Sequence, residues 1–214
     1  MIDPKYVNIF NRFLNLCEND NGSPENDYRS VYIYNDGNGG RKQVTLSKGF
    51  TQDGGNLWKV IQEYINNGGE KAEFFAKYKN KMRDGSLYQD QAFISALKTA
   101  AKEQDMKDAQ DKVFLNVYLQ PAFNWAESKG FVLPLSYGVA ADSYLHSGQM
   151  SPKLVNSFAE KTPVNGGNEK VWMKAYLEAR LAWFNRASGA LHTCTFRPRF
   201  FLKEIEKNNW ALNC

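Results

Sequence analysis

The chain has 214 residues, 43% of them hydrophobic and 14% aromatic. That is enough for one sizeable core, or for two small lobes sharing one, and too apolar for a disordered segment. A net charge of +4 is too weak to point to nucleic acid, though it eases approach to an anionic surface and hinders approach to a polycation. Cys17, Cys194 and Cys214 are too few and too scattered for a disulfide framework. No apolar run reaches the roughly eighteen residues of a membrane span. The start MIDPKYVNIF lacks the basic end and small-residue cleavage site of a signal peptide.

Asp3 followed by Pro4 predicts a helix start. Val7, Phe10 and Leu14, with Ile9 and Phe13 beside them, continue as an apolar stripe whose extension reaches Glu18. The turn-rich ENDNGSPEND ends that helix. YRSVYIYND and QVTLS, joined by a glycine turn, predict a β-hairpin. From Gly54 onward apolar residues recur at three and four, in GNLWKVIQEYI, EKAEFFAKYKNKM, LYQDQAFISALKTAA, LSYGVAADSYLHSG, SPKLVNSFAEK, EKVWMKAYLEARLAWFNRA and FRPRFFLKEIEKNNW. Pro121 is expected to kink or interrupt the longest helix, MKDAQDKVFLNVYLQPAFNWAESKG. The implied fold class is α+β and mainly helical. A single domain over residues 1–214 is expected, with a small β-hairpin lobe and a larger helical lobe flanking a cleft.

Two acids stand out against this frame. Glu18 falls in the last turn of its helix, on or beside the core-facing stripe. There the negative end of the macrodipole and apolar neighbours such as Leu14 favour the protonated carboxyl that a general acid requires. Asp36 follows in YNDGNGGRK, among glycines that let a backbone approach a ligand closely. Each acid alone has an ordinary reading, a solvated helix end for Glu18 and an Asp-Gly hairpin turn for Asp36. Together they match the paired carboxylates with which glycosidases flank a scissile bond. Thr45, on the return strand, adds a hydroxyl suited to holding an attacking water with Asp36.

LCEND, YNDGNGG and GFTQDGGNLWKVIQEY resemble the opening of the glycoside hydrolase family 46 chitosanases, which share the lysozyme-like fold. By this resemblance Glu18 is the acid and Asp36 the base of an inverting hydrolysis. QVTLSKGF is similar to the Thr-containing hairpin of phage-type lysozymes, with Thr45 on their catalytic Thr. MKDAQDKVFLNVYLQPAFNWAESKG is similar to the family's central helix, and YGVAADSYLHSG to the segment carrying its Asp and His-Gly. WMKAYLEARLAWF and FRPRFFLKEIEKNNWAL are similar to its last two helices. The resemblance implies a buried charge network of Asp142, Arg180 and Arg199 behind Glu18, with Arg197 the alternative to Arg199. It also implies substrate contacts at Tyr34, Arg41, Asp53 and Asn56.

Departures from the family bear on the substrate. Asn56 stands where the family usually carries a sugar-binding Asp, and Asp53 is the nearby substitute. EKAEFFAKYKNKMR, with Lys71, Lys77, Lys79, Lys81 and Arg83, reads as a basic helix suited to an anionic wall. These features favour peptidoglycan, hence a muramidase-like antibacterial effector or endolysin domain, over the chitosanase alternative. The expected partner is the polysaccharide, with room for a delivery or immunity protein and with no nucleic acid or membrane span. The expected place of action lies outside the producing cytoplasm.

Other classes are weaker. His146 and His192 are too far apart for a zinc site, so neither a metal nor a cofactor is expected. A serine triad lacks its GxSxG. A non-catalytic carbohydrate-binding module has no need of Glu18, Asp36 and Thr45 together. The tryptophans Trp58, Trp125, Trp172, Trp183 and Trp210 fall mostly at core spacing, leaving one or two to stack on sugars.

Overall fold

The computed structural model describes residues 28–47 and 49–213. The helix expected to carry Glu18, and Cys17 with it, lies outside them. The described residues divide into two compact units, one continuous over 28–115 and the other over 116–213.

The first unit opens with a three-stranded antiparallel sheet in the order β1 (Val31–Tyr34), β2 (Gln43–Leu46), β3 (Phe50–Thr51). β1 and β2 form the expected hairpin, with Tyr32 opposite Thr45 and Tyr34 opposite Gln43. β3 adds a short third strand that pairs Thr51 with Thr45. Val44, Leu46 and Phe50 are fully buried. The alternate residues of β2 and its end, Gln43, Thr45 and Ser47, are polar and buried as well. Alternation therefore sorts these side chains by face, while both faces of β2 are covered.

Helix α1 (Asn56–Asn66) follows Gly55, whose φ of 74° suits glycine. Its buried Leu57, Val60, Ile61 and Tyr64 repeat at i, i+3, i+4 and i+7, the stripe read from the sequence. Each such aliphatic side chain stabilises the fold by roughly 1.5–3 kcal/mol relative to an exposed one. Helices α2 (Ala72–Ala76), α3 (Gln91–Ala100) and α4 (Gln104–Phe114) complete this unit, and α1 packs along α4. The Asp90 side chain caps α3 by accepting from Phe93 N.

The basic helix expected over residues 70–83 is broken. Only Ala72–Ala76 is α-helical, and Lys81–Arg83 forms a separate 3₁₀ turn. Asn80 and the Asp84-Gly85-Ser86 run are turn formers, and Ser86 N and Oγ both donate to Asp84 Oδ1.

At the expected interruption, Leu115–Leu119 winds as a π-helix directly before α5 (Gln120–Ser128), with Pro121 in the first turn of α5. A proline lacks the N–H that would continue the α-helical ladder, and the wider turn accommodates it. Then come α6 (Pro134–Ser147), α7 (Pro152–Val155), α8 (Glu169–Arg186), α9 (Ala190–Thr193) and α10 (Phe196–Glu206). α5 packs on α6, and α8 on α10. Trp172, Met173, Tyr176, Leu177 and Phe184 form the buried stripe of α8, and Arg180 lies on that same stripe. Among the described residues no helix is long and apolar enough to cross a membrane.

Candidate active site

The turn between β1 and β2 presents Asp36 at the surface. Its Oδ1 accepts from Gln43 Nε2 at 3.0 Å. Gln43 is only 3% exposed, and its other end is engaged too, since Gln43 Oε1 accepts from Asp53 N at 2.9 Å. The Asp53 carboxylate closes the ring. It accepts from Asn38 N at 2.7 Å and from Arg41 Nε at 2.8 Å, and Arg41 Nη2 donates to its second oxygen. The hydrogen bond from Arg41 holds the Asp53 carboxyl below the usual carboxylate range, and the Asn38 amide adds to it, against a smaller opposing effect of burial.

This ring explains the glycines. Gly39 and Gly40 have φ of 70° and 77°, a region open chiefly to glycine. Gly37 leaves no room for a side chain, because a Cβ there would lie 2.6 Å from Asp53 Oδ2 and 2.8 Å from Arg41 O. The close approach is thus to the protein's own Asp53.

Of the expected substrate contacts, Arg41 and Asp53 are engaged with each other. Tyr34 is 50% exposed and stacks on Tyr32 with ring centroids 5.2 Å apart. Asn56 is the first residue of α1. Thr45 lies two positions from Gln43 along β2, on the same face of the sheet. Its Oγ1 is buried and makes no hydrogen bond among the described residues.

Beside the turn runs a groove of about 740 Å³, lined by Asn38, Arg41, Asp53, Trp58, Lys79 and Arg83 among others. One wall is fixed by Gln52, whose Nε2 donates to Met82 O at 3.2 Å and to Asp84 O at 2.8 Å.

In the second unit Asp142 of α6 is fully buried and receives Nη1 of Arg180 at 2.5 Å and Nη1 of Arg197 at 2.5 Å. Burial alone would raise its pKa, but the two guanidinium charges and their hydrogen bonds prevail and hold it low. The second arginine is Arg197, not the expected Arg199, which is exposed. Helix geometry gives the reason. Residues 197, 201 and 204 fall at i, i+4 and i+7, on the face that buries Phe201 and Glu204, while 199 points away from it.

His146, near the end of α6, meets Phe184 edge-on with centroids 5.2 Å apart, and its Nδ1 lies 2.9 Å from Ser147 Oγ. Burial, followed by the charges of Arg180 and Arg197, pushes its pKa down to about 4, with Asp142 pulling weakly the other way. A depressed histidine pKa contributes stability above the unfolded value near 6.5, and that stability is lost as pH falls toward about 4. His146→Gln is therefore expected to give a shallower fall of Tm over this window. Parallel Tm–pH curves for variant and wild type would refute it.

The chain, mainly helical with a small antiparallel sheet, has the lysozyme-like fold of the chitosanase structures on which it superposes. Within that class the chain belongs to glycosyl hydrolase family 46, whose model matches residues 13–214. It is 29% identical over 176 residues to a chitosanase of Bacillus subtilis (strain 168), covering 75% of this chain and 61% of that protein, so it spans less than two thirds of this relative. The crystal structure of native chitosanase from Bacillus subtilis MY002 superposes with a TM-score of 0.82 at 22% identity, covering 100% of this chain and 94% of the other. The Gynuella sunshinyii family 46 chitosanase in complex with chitotetraose gives a TM-score of 0.82 at 20% identity, covering 100% and 93%. At such identities these two likenesses speak for the fold.

The sequence reading pointed to neither Gln43 nor Gln52 in these clusters, and offered Arg197 as the alternative to Arg199. Gln43 had a signal, since its strand alternates polar and apolar residues and so directs it to the same side as Thr45.

Proposed function

We propose that this protein is a glycoside hydrolase that cleaves the β-1,4 bonds of chitosan with inversion. The observation that carries the reading is the family 46 match across residues 13–214, which takes in both Glu18 and Asp36. In this reading Glu18 protonates the leaving oxygen. Asp36 takes a proton from water, with its Oδ1 held by Gln43 and its Oδ2 left for that water, and Thr45 helps to hold the water. Inverting carboxylates stand roughly 6.5–9.5 Å apart to admit it. The polysaccharide lies outside the producing cytoplasm, and the protein acts there.

One observation favours peptidoglycan as a second reading. Arg41, Lys79 and Arg83 line the groove beside Trp58, and the acid among them, Asp53, is held by Arg41. Cations there disfavour a glucosaminium unit and suit an acidic glycan. The function of an antibacterial effector or endolysin domain belongs to this second reading.

The test is a pair of assays on one preparation, with Glu18→Gln as control. Release of reducing ends from chitosan, lost in the control, is the expected result. Release of fragments from purified peptidoglycan alone would replace the first reading by the second. Equal release by wild type and control would overturn both.

A further inference from the structure

We propose that Gln43 is a positioning residue for the reaction: its amide engages one oxygen of Asp36 and holds the carboxylate in a fixed orientation. The inference rests on the glycosidase reading of Asp36 and goes beyond it.

The amide is oriented by its partners. Asp53 N can only donate, so the Gln43 atom 2.9 Å from it is the oxygen, and the NH₂ group necessarily faces Asp36 Oδ1 at 3.0 Å. A buried donor aimed at one carboxylate oxygen fixes the plane of the group. A general base needs this, because it must keep its second oxygen directed at water.

Gln43 is itself immobilised. It is almost fully buried in β2, opposite Tyr34 in register, and the backbone amide holding its oxygen belongs to the residue whose carboxylate holds Asn38 N. Asp36 is thus tied through Gln43 to the far side of its own turn. An exposed acid on a glycine-rich loop would otherwise sample many rotamers.

The experiment compares wild type, Gln43→Met and Gln43→Glu. Gln43→Met keeps length and removes the donor. It is expected to lower kcat about 10- to 100-fold, the worth of one hydrogen bond to a charged group, with KM nearly unchanged. Gln43→Glu places a second acid against Asp36 and is expected to move the acid limb of kcat/KM upward by about one pH unit or more. The Asp36 carboxyl, followed by carbon-13 NMR through a pH titration, is expected to show the Gln43→Glu shift without any substrate. A purely structural role would lower Tm in both variants and leave kcat and the Asp36 titration as in wild type, and that result overturns the proposal. If Gln43→Glu does not fold, Gln43→Met decides by the same readouts. If wild type cleaves neither polysaccharide, the glycosidase reading fails, and the NMR titration still decides whether Gln43 governs Asp36.

Discussion

Asp36→Asn is expected to lower kcat on the preferred polysaccharide by about 10²- to 10⁴-fold, the contribution of a positioned general base. Its effect on stability is expected to stay within about 0.5 kcal/mol, as for other exposed positions. The reason is the hydrogen-bond pattern. An Asn side-chain oxygen still accepts from Gln43 Nε2, so the turn keeps its closure while the carboxylate is lost. Calorimetry and initial rates on the same sample separate the two effects. A folded variant with near wild-type rate would remove Asp36 from the chemistry.

The second large effect concerns stability. Asp142→Asn leaves the guanidinium groups of Arg180 and Arg197 without their buried counter-charge. Breaking a buried ion pair in this way costs about 3–5 kcal/mol, and Tm should fall by on the order of 10 °C in a chain of this size. Because the folded-state pKa of Asp142 is depressed, its contribution is present above the unfolded value near 3.9 and is lost as pH falls below it. Arg197→Met should destabilise strongly by comparison with Arg199→Met, which should stay within about 0.5 kcal/mol. Equal Tm values for these two variants would refute the assignment of Arg197 to the network.

The sequence made these two clusters legible to different depths. The hairpin followed from alternating β-formers around a glycine turn, and its strands stand where the pattern put them. Asp36 was visible because an acid among glycines invites a question. Gln43 was not, because a polar residue in a strand reads as solvent-facing until burial is known, and here the polar face of β2 is covered. Arg180 lay in plain sight as a charge on the apolar stripe of α8. Arg197 was recoverable by counting four residues back from Phe201. The basic helix is cut short because the turn formers Asn80 and Asp84-Gly85-Ser86 interrupt a segment whose lysines alone carry no helical stripe. The substrate was the least legible feature. It depends on which charges in the groove are held by partners, and the Arg41–Asp53 pair appears only in three dimensions.

The continuity of residues 28–115 as one compact unit bears on how the protein is made. Every partner in the ring around Asp36 lies between residues 36 and 53, so the turn closes with contacts short in sequence. On a ribosome adding about 5–20 residues per second, the 99 residues from Asn116 to Cys214 follow over roughly 5–20 s. Hairpins form in about 1–10 μs. The turn that carries Asp36 therefore has time to reach its hydrogen-bonded arrangement while the codons for Asp142, Arg180 and Arg197 are still unread.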